Sequence, residues 1–194
     1  MVGSGSGNQR SMTHVWNCIV FVRRTFTQLH SNPMSKEVPI QVYTDGACVG
    51  NGTAGARGGI GVWFGPDSPH NVSRPIAGPL HTNNVAELQA IEAAIHVLET
   101  LHVPAAVIHT DSMYAINALT RWAPKWATKG WRTAAGGPVA NKDLIIGILA
   151  KLSGGPVAVT LNYVAGHAGI AGNEAADDLA RRGAAQCDAA AFRK

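Results

Sequence analysis

Charge is scarce in this chain of 194 residues: Asp, Glu, Lys and Arg make up 14%, aromatic residues 6%, and there are three cysteines. Cys18, Cys48 and Cys187 are odd in number, far apart and without a CxxC pair, so neither a disulfide framework nor a zinc site is indicated. That usage suits a reducing, intracellular compartment, cytoplasm or nucleus. Long apolar runs are missing too. The stretch from Trp16 to Val22 is far short of the ~18 residues that span a bilayer and ends at Arg23 and Arg24, so no membrane partner is expected. Low charge does not mean disorder here, because 46% of the residues are hydrophobic, enough for a core. The length fits one domain of about 100–200 residues with a short appendage. Sixteen basic against twelve acidic residues leave a net charge of +4, a mild excess that suggests an anionic partner.

Acids are absent altogether from residues 1–36, which carry Arg10, Arg23, Arg24 and Lys36 among Ser, Thr, Gly and Asn. The composition of residues 1–38 resembles a mitochondrial presequence and reads equally well as a flexible tail or an artificial linker. The mitochondrion is therefore a further destination to test.

What is present from Pro39 onward is a succession of short β-prone runs and helix-periodic stretches. Ile40–Thr44 alternates like a half-buried strand, Gly59–Phe64 and Val72–Ile76 follow, and the short turns between them favour antiparallel pairing. Val85, Leu88, Ile91, Ile95 and Leu98 recur at intervals of three and four, predicting an amphipathic helix from Asn84 to Leu101. Ala105–Thr110 is a strand, Ser112–Leu119 a helix behind a Ser cap, and Asn141–Leu152 a helix behind an Asn cap. Val157–Val164 and Asn173–Ala185 complete the set as strand and helix. The expected class is α/β: a mixed five-stranded sheet, three antiparallel strands then parallel ones, flanked by helices.

With twelve acids in all, the place of each is informative. Asp45 and Asp111 each follow a predicted strand directly, where the clefts of open α/β sheets form. A single strand-end Asp is more often a turn or cap residue; two of them weaken that reading. Glu87 borders the apolar stripe of the long helix, although Asn84 as N-cap with Glu87 three residues on is also a capping-box spacing. Asp177, beside Asp178, would equally be placed by the dipole of the last helix.

Four ordered blocks carry a resemblance: Val42-Tyr-Thr-Asp45-Gly-Ala, Thr82-Asn-Asn-Val-Ala-Glu87-Leu, His109-Thr-Asp111-Ser, and Gly166-His167-Ala-Gly-Ile-Ala-Gly172-Asn-Glu-Ala-Ala-Asp177-Asp-Leu-Ala. Together they resemble type 1 ribonuclease H, from about Pro39 to Ala185. The resemblance implies a ribonuclease H-like catalytic domain over 39–186 and a C-terminal tail at 187–194. It implies that Asp45, Glu87, Asp111 and Asp177 hold two Mg²⁺ ions, with Mn²⁺ as an alternative. Hard oxygen ligands suit these cations, and a pair about 3.5–4 Å apart can serve both sides of a phosphoryl transfer. His167, between glycines, is implied to move a proton or assist product release. The reaction implied is endoribonucleolytic cleavage of the RNA strand of an RNA–DNA hybrid duplex, leaving a 5′-phosphate and a 3′-hydroxyl, by a monomer.

No acid lies between Asp111 and Asp143, where Arg121, Lys125, Lys129 and Arg132 recur with Trp122, Trp126 and Trp131. Spacing alone also allows a solvated helix with Trp rings in the core. Interleaved cations and rings nevertheless provide phosphate neutralisation and stacking surfaces. The segment resembles the basic protrusion of cellular members of the family, with Trp122 and Trp126 at its channel positions. Asn51, Asn83 and Asn84 match minor-groove contacts, and Asn141 matches a DNA-phosphate pocket. Cys48 and Leu80 depart from the pattern: some relatives place Thr and Arg there, and a thiol is a poor phosphate partner. Residues 1–38 show no hybrid-binding module, so low processivity is expected. The alternatives are a non-catalytic hybrid-binding module and a retroelement-derived domain.

Overall fold

The computed structural model describes residues 38–191; the segment read as a targeting sequence, Cys18 with it, falls almost wholly outside the described residues. Five strands form one sheet in the order β3-β2-β1-β4-β5. β1 (Ile40–Val49), β2 (Arg57–Trp63) and β3 (Val72–Pro75) are antiparallel, whereas β4 (Ala105–Thr110) and β5 (Ala158–Tyr163) run parallel to β1. This is the mixed sheet expected from sequence. β1 is longer than predicted because Asp45–Val49 continues the antiparallel ladder against Gly61–Arg57. The parallel ladder with β4 stops at Thr44↔Thr110, so Asp45 and Asp111 are each the first residue beyond it, side by side.

Helix α1 (Asn83–Thr100) covers one face. Its predicted stripe, Val85, Leu88, Ile91, Ile95 and Leu98, is buried against Val42, Ile60, Val62 and Ile108 of the sheet. Burying such a side chain is worth roughly 1.5–3 kcal/mol. The N-cap is Thr82 and not Asn84: the Thr82 hydroxyl accepts from the Val85 N–H at 3.2 Å. Glu87 is thereby moved into the second turn and the capping box does not form.

The predicted helix Ser112–Leu119 is longer and irregular. Ser112 caps α2 (Met113–Asn117), accepting from the Ala115 N–H at 3.2 Å. The chain then widens into a π-helical turn, Ala118–Trp122, and continues as α3 (Ala123–Thr128). Pro124 reads as a stop because it lacks a donor, but it sits in the first turn of α3, where a missing N–H is tolerated. Helix α4 (Lys142–Gly154) follows Asn141, whose side chain does not cap it. Asn141 is left-handed at φ +59°, and its Nδ2 donates to Tyr114 Oη at 3.1 Å instead.

Helix α5 (Ala171–Ala191) lies on the opposite face and begins two residues earlier and ends six residues later than predicted. Glycines set its approach. A Cβ at Gly59 would sit 2.0 Å from the Ala184 nitrogen and one at Gly61 1.9 Å from the Ala176 oxygen, so β2 and α5 meet backbone to backbone. Buried Ala176, Ala180 and Ala184 make the matching seam at intervals of four. Gly172, which reads as loop, is helical and packs on the Tyr43 ring, with no room for a side chain. No helix among the described residues is long and apolar enough to cross a membrane.

Candidate active site

Strand alternation places Asp45 on the α5 face of β1, opposite Gly61, and the next residue, Gly46, on the α1 face. A Cβ at Gly46 would lie 2.2 Å from the Glu87 nitrogen, so its absence lets α1 settle onto β1 and delivers Glu87 to Asp45. At the end of β4, Asp111 is held from two sides. Asn173 Nδ2 donates to its Oδ2 at 3.1 Å, and Gly166 packs so closely that a Cβ there would lie 2.5 Å from the same oxygen. As a result one carboxylate oxygen from each of Asp45, Glu87 and Asp111 lies within 4.8 Å of the others, the one such ligand cluster among the described residues.

This cluster is electrostatically uncomfortable. Burial is the main reason the Asp45 carboxyl is pushed up to about 6; the charges of Asp111 and then Asp177 add to it, and the Gly46 N–H, 2.7 Å from Oδ1, works against it. Glu87 is raised well above the ordinary carboxylate range, first by burial and then by Asp45 and Asp111. Its Oε2 is buried without a hydrogen-bond partner. A buried acceptor left unpaired costs free energy, and the deficit is removed by a cation. An all-oxygen donor set with an orphaned lone pair fits a hard divalent metal ion.

The fourth predicted acid, Asp177, stands in the second turn of α5 and outside the cluster; its Oδ2 is bound by Arg181 Nη2 at 2.6 Å. Asp178, its neighbour, pairs with Arg182 on the solvent side. His167 is exposed in the loop between β5 and α5, left-handed at φ +52°. Asn173 joins the site although no motif singles it out. It is 2% exposed, its Oδ1 has no partner, and it precedes Asp177 by four residues, a helical spacing that is the sole sequence signal of a shared face.

The predicted nucleic-acid contacts divide into two groups. Asn51 Oδ1 accepts from the Asn83 N–H at 3.2 Å, tying the β1–β2 loop to the exposed start of α1, where Asn84 also lies. On the other side, rings form a chain: Tyr114 to Trp122 at 6.1 Å, Trp122 to Trp126 at 5.6 Å, Trp126 to Trp131 at 6.3 Å. The core packing expected of the tryptophans holds for two of the three rings. Trp126 and Trp131 pack against the core, whereas Trp122 is 36% exposed. Arg121, Lys125 and Lys129 are exposed; Arg132, also exposed, spends one donor on Gly136 O at 2.8 Å, closing its own loop. Asn141 reaches Tyr114 at the base of the ring chain.

The RNase H family model matches residues 37–185. The chain is 42% identical to Ribonuclease H1 of Homo sapiens over 77% of its length and to Ribonuclease H of a Cyanothece species over 75%; these alignments cover 51% and 88% of the two relatives. It spans about half the length of the mammalian relatives it matches. Among solved structures, LC9-RNase H1, described as a type 1 RNase H with the type 2 active-site motif, superposes with a TM-score of 0.56 at 31% identity, covering 78% of this chain and 75% of that one.

Proposed function

The chain belongs to the RNase H family, and from that premise we propose that it is an endoribonuclease that hydrolyses the RNA strand of RNA–DNA hybrids. The observation that carries the reading is the buried Asp45–Glu87–Asp111 cluster with its unpartnered Glu87 oxygen. A non-catalytic hybrid-binding module would have no use for three carboxylates held against their own repulsion.

Mg²⁺, two ions with Mn²⁺ as the alternative, held by Asp45, Glu87, Asp111 and Asp177, would supply Lewis-acid activation of a water and neutralise charge at the scissile phosphate. The protein's part is preorganisation. Asn173 and Gly166 fix the orientation of Asp111, and the Gly46 N–H fixes that of Asp45, so the negative field at the cleft is in place before substrate arrives. His167, on a glycine-flanked loop, takes and returns a proton near the departing 3′ oxygen. The cations from Arg121 to Arg132 neutralise phosphates of the DNA strand while Trp122 supplies a flat surface to it. Asn51, Asn83 and Asn84 present amides that both donate and accept, which suits 2′-hydroxyls and base edges in the minor groove. Asn141 serves the DNA phosphate. Addition of water to phosphorus with loss of the 3′ oxygen leaves a 5′-phosphate and a 3′-hydroxyl. The enzyme acts as a monomer inside the cell, in cytoplasm or nucleus, with the mitochondrion as the alternative that the acid-free composition of residues 1–36 raises.

Labelled RNA–DNA, RNA–RNA and DNA–DNA duplexes incubated with each metal test the proposal. Cleavage confined to the RNA of the hybrid is expected; equal cleavage of RNA–RNA would sink it.

A further inference from the structure

We propose that Arg181 is a positioning residue of the metal centre: its guanidinium holds Asp177 away from the carboxylate cluster until a divalent cation displaces it. The inference rests on the nuclease reading for the identity of that centre.

Three observations carry it. Asn173, Asp177 and Arg181 follow at intervals of four along α5, forming one stripe that starts at Asp111, to which Asn173 donates. Along this stripe Asp177 Oδ2 contacts Arg181 Nη2 at 2.6 Å, while the ligand atoms of Asp45, Glu87 and Asp111 gather within 4.8 Å without it. Finally, the pair straddles the rim of the cleft: the Asp177 side chain is 17% exposed and that of Arg181 63%. A salt bridge with one partner in water is weak and exchanges readily, as a displaceable counter-ion must. The adjacent Asp178–Arg182 pair has the same spacing with both partners well exposed, at 49% and 68%, and provides an internal control.

Asp177 therefore has two competing partners. In the metal-free protein Arg181 pairs with it, while its charge still bears on Asp45. When metal arrives, the carboxylate must leave the guanidinium, which weakens the hold on the ion that depends on Asp177 and eases its release. Removing Arg181 should tighten that ion.

The test is calorimetric titration of the full chain with Mg²⁺ and with Mn²⁺, without nucleic acid. Arg181→Met, which keeps the apolar stem, should bind the weaker ion about two- to fivefold more tightly, the span of an exposed ion pair. Arg181→Lys should fall between, and Arg182→Met should match the unaltered chain. In an Asp177→Asn background Arg181→Met should change nothing. Unchanged or weaker metal affinity in Arg181→Met overturns the proposal, as does an equal gain when Asp177 is Asn. Loss of hybrid affinity with metal affinity unaltered would make Arg181 a phosphate contact and also overturn it. If the unaltered chain binds no divalent ion, the nuclease reading itself fails; if it binds and Arg181 has no effect, this inference alone fails.

Discussion

The acidic cluster and the Trp-bearing segment from Met113 to Asn141 are built by opposite means. The carboxylates are brought together by backbone contact: Gly46 admits α1, Gly61 admits α5, and Gly166 admits the β5–α5 loop to Asp111. Asp45 is buried, and burial raises the pKa of both Asp45 and Glu87. The basic segment is assembled locally, by a π-helical turn, a chain of rings and a loop closed by Arg132, with its cations in water. On the proposed function, the chemistry would belong to the closely packed part and strand capture to the exposed one.

Several measurements would break or sharpen this contrast. The largest effect should come from Asp45→Asn, which we expect to lower the metal-dependent cleavage rate by at least about 100-fold, equivalent to about 2.7 kcal/mol, with hybrid affinity largely retained; undiminished turnover would refute the site. Next, Gly61→Ala sets a methyl against the Ala176 carbonyl and should destabilise by about 1–3 kcal/mol or more, read as a lower unfolding temperature. If stability is unchanged, α5 does not seat on β2 as described.

In chelator, the raised Asp45 pKa has a definite sign. Between 3.8 and about 6 the folded state holds a proton that the unfolded state has lost, so stability should fall as pH rises through that window, on the order of 1–3 kcal/mol. Glu87 acts in the same direction. Saturating divalent metal should flatten the dependence, and a metal-free protein most stable at pH 8 would contradict the cluster.

For the outer region, Trp122→Ala should weaken hybrid binding by about 1–3 kcal/mol if the ring stacks, with little change in kcat. An effect on stability alone would return Trp122 to a packing role. Smallest of all, Lys125→Ala should reduce the salt slope of hybrid binding by about 1 without touching the cleavage chemistry.

Legibility followed the range of the forces involved. The apolar stripe Val85–Leu98 was readable because a helical period is local, and all five of its members are buried. Asp45 and Asp111 were readable because the end of a strand is local as well. The N-cap lies two residues before the expected Asn84, since Asn84 is an acceptable cap in isolation whereas the Thr82 hydroxyl accepts from the Val85 N–H. The turn at Ala118–Trp122 lies largely beyond Leu119, where the predicted helix ends.

The sequence by itself determined the mixed sheet, the family and the identities of the acids, because strand alternation, helical period and ordered motifs are properties of neighbours in the chain. Only the tertiary structure decided that Asp45, Glu87 and Asp111 meet while Asp177 is held by Arg181, that Asn173 braces Asp111, and that Trp122 faces water while Trp126 and Trp131 pack inward. Those outcomes depend on how closely two backbones can approach, and the glycines that permit it act across the sheet, between residues far apart in sequence.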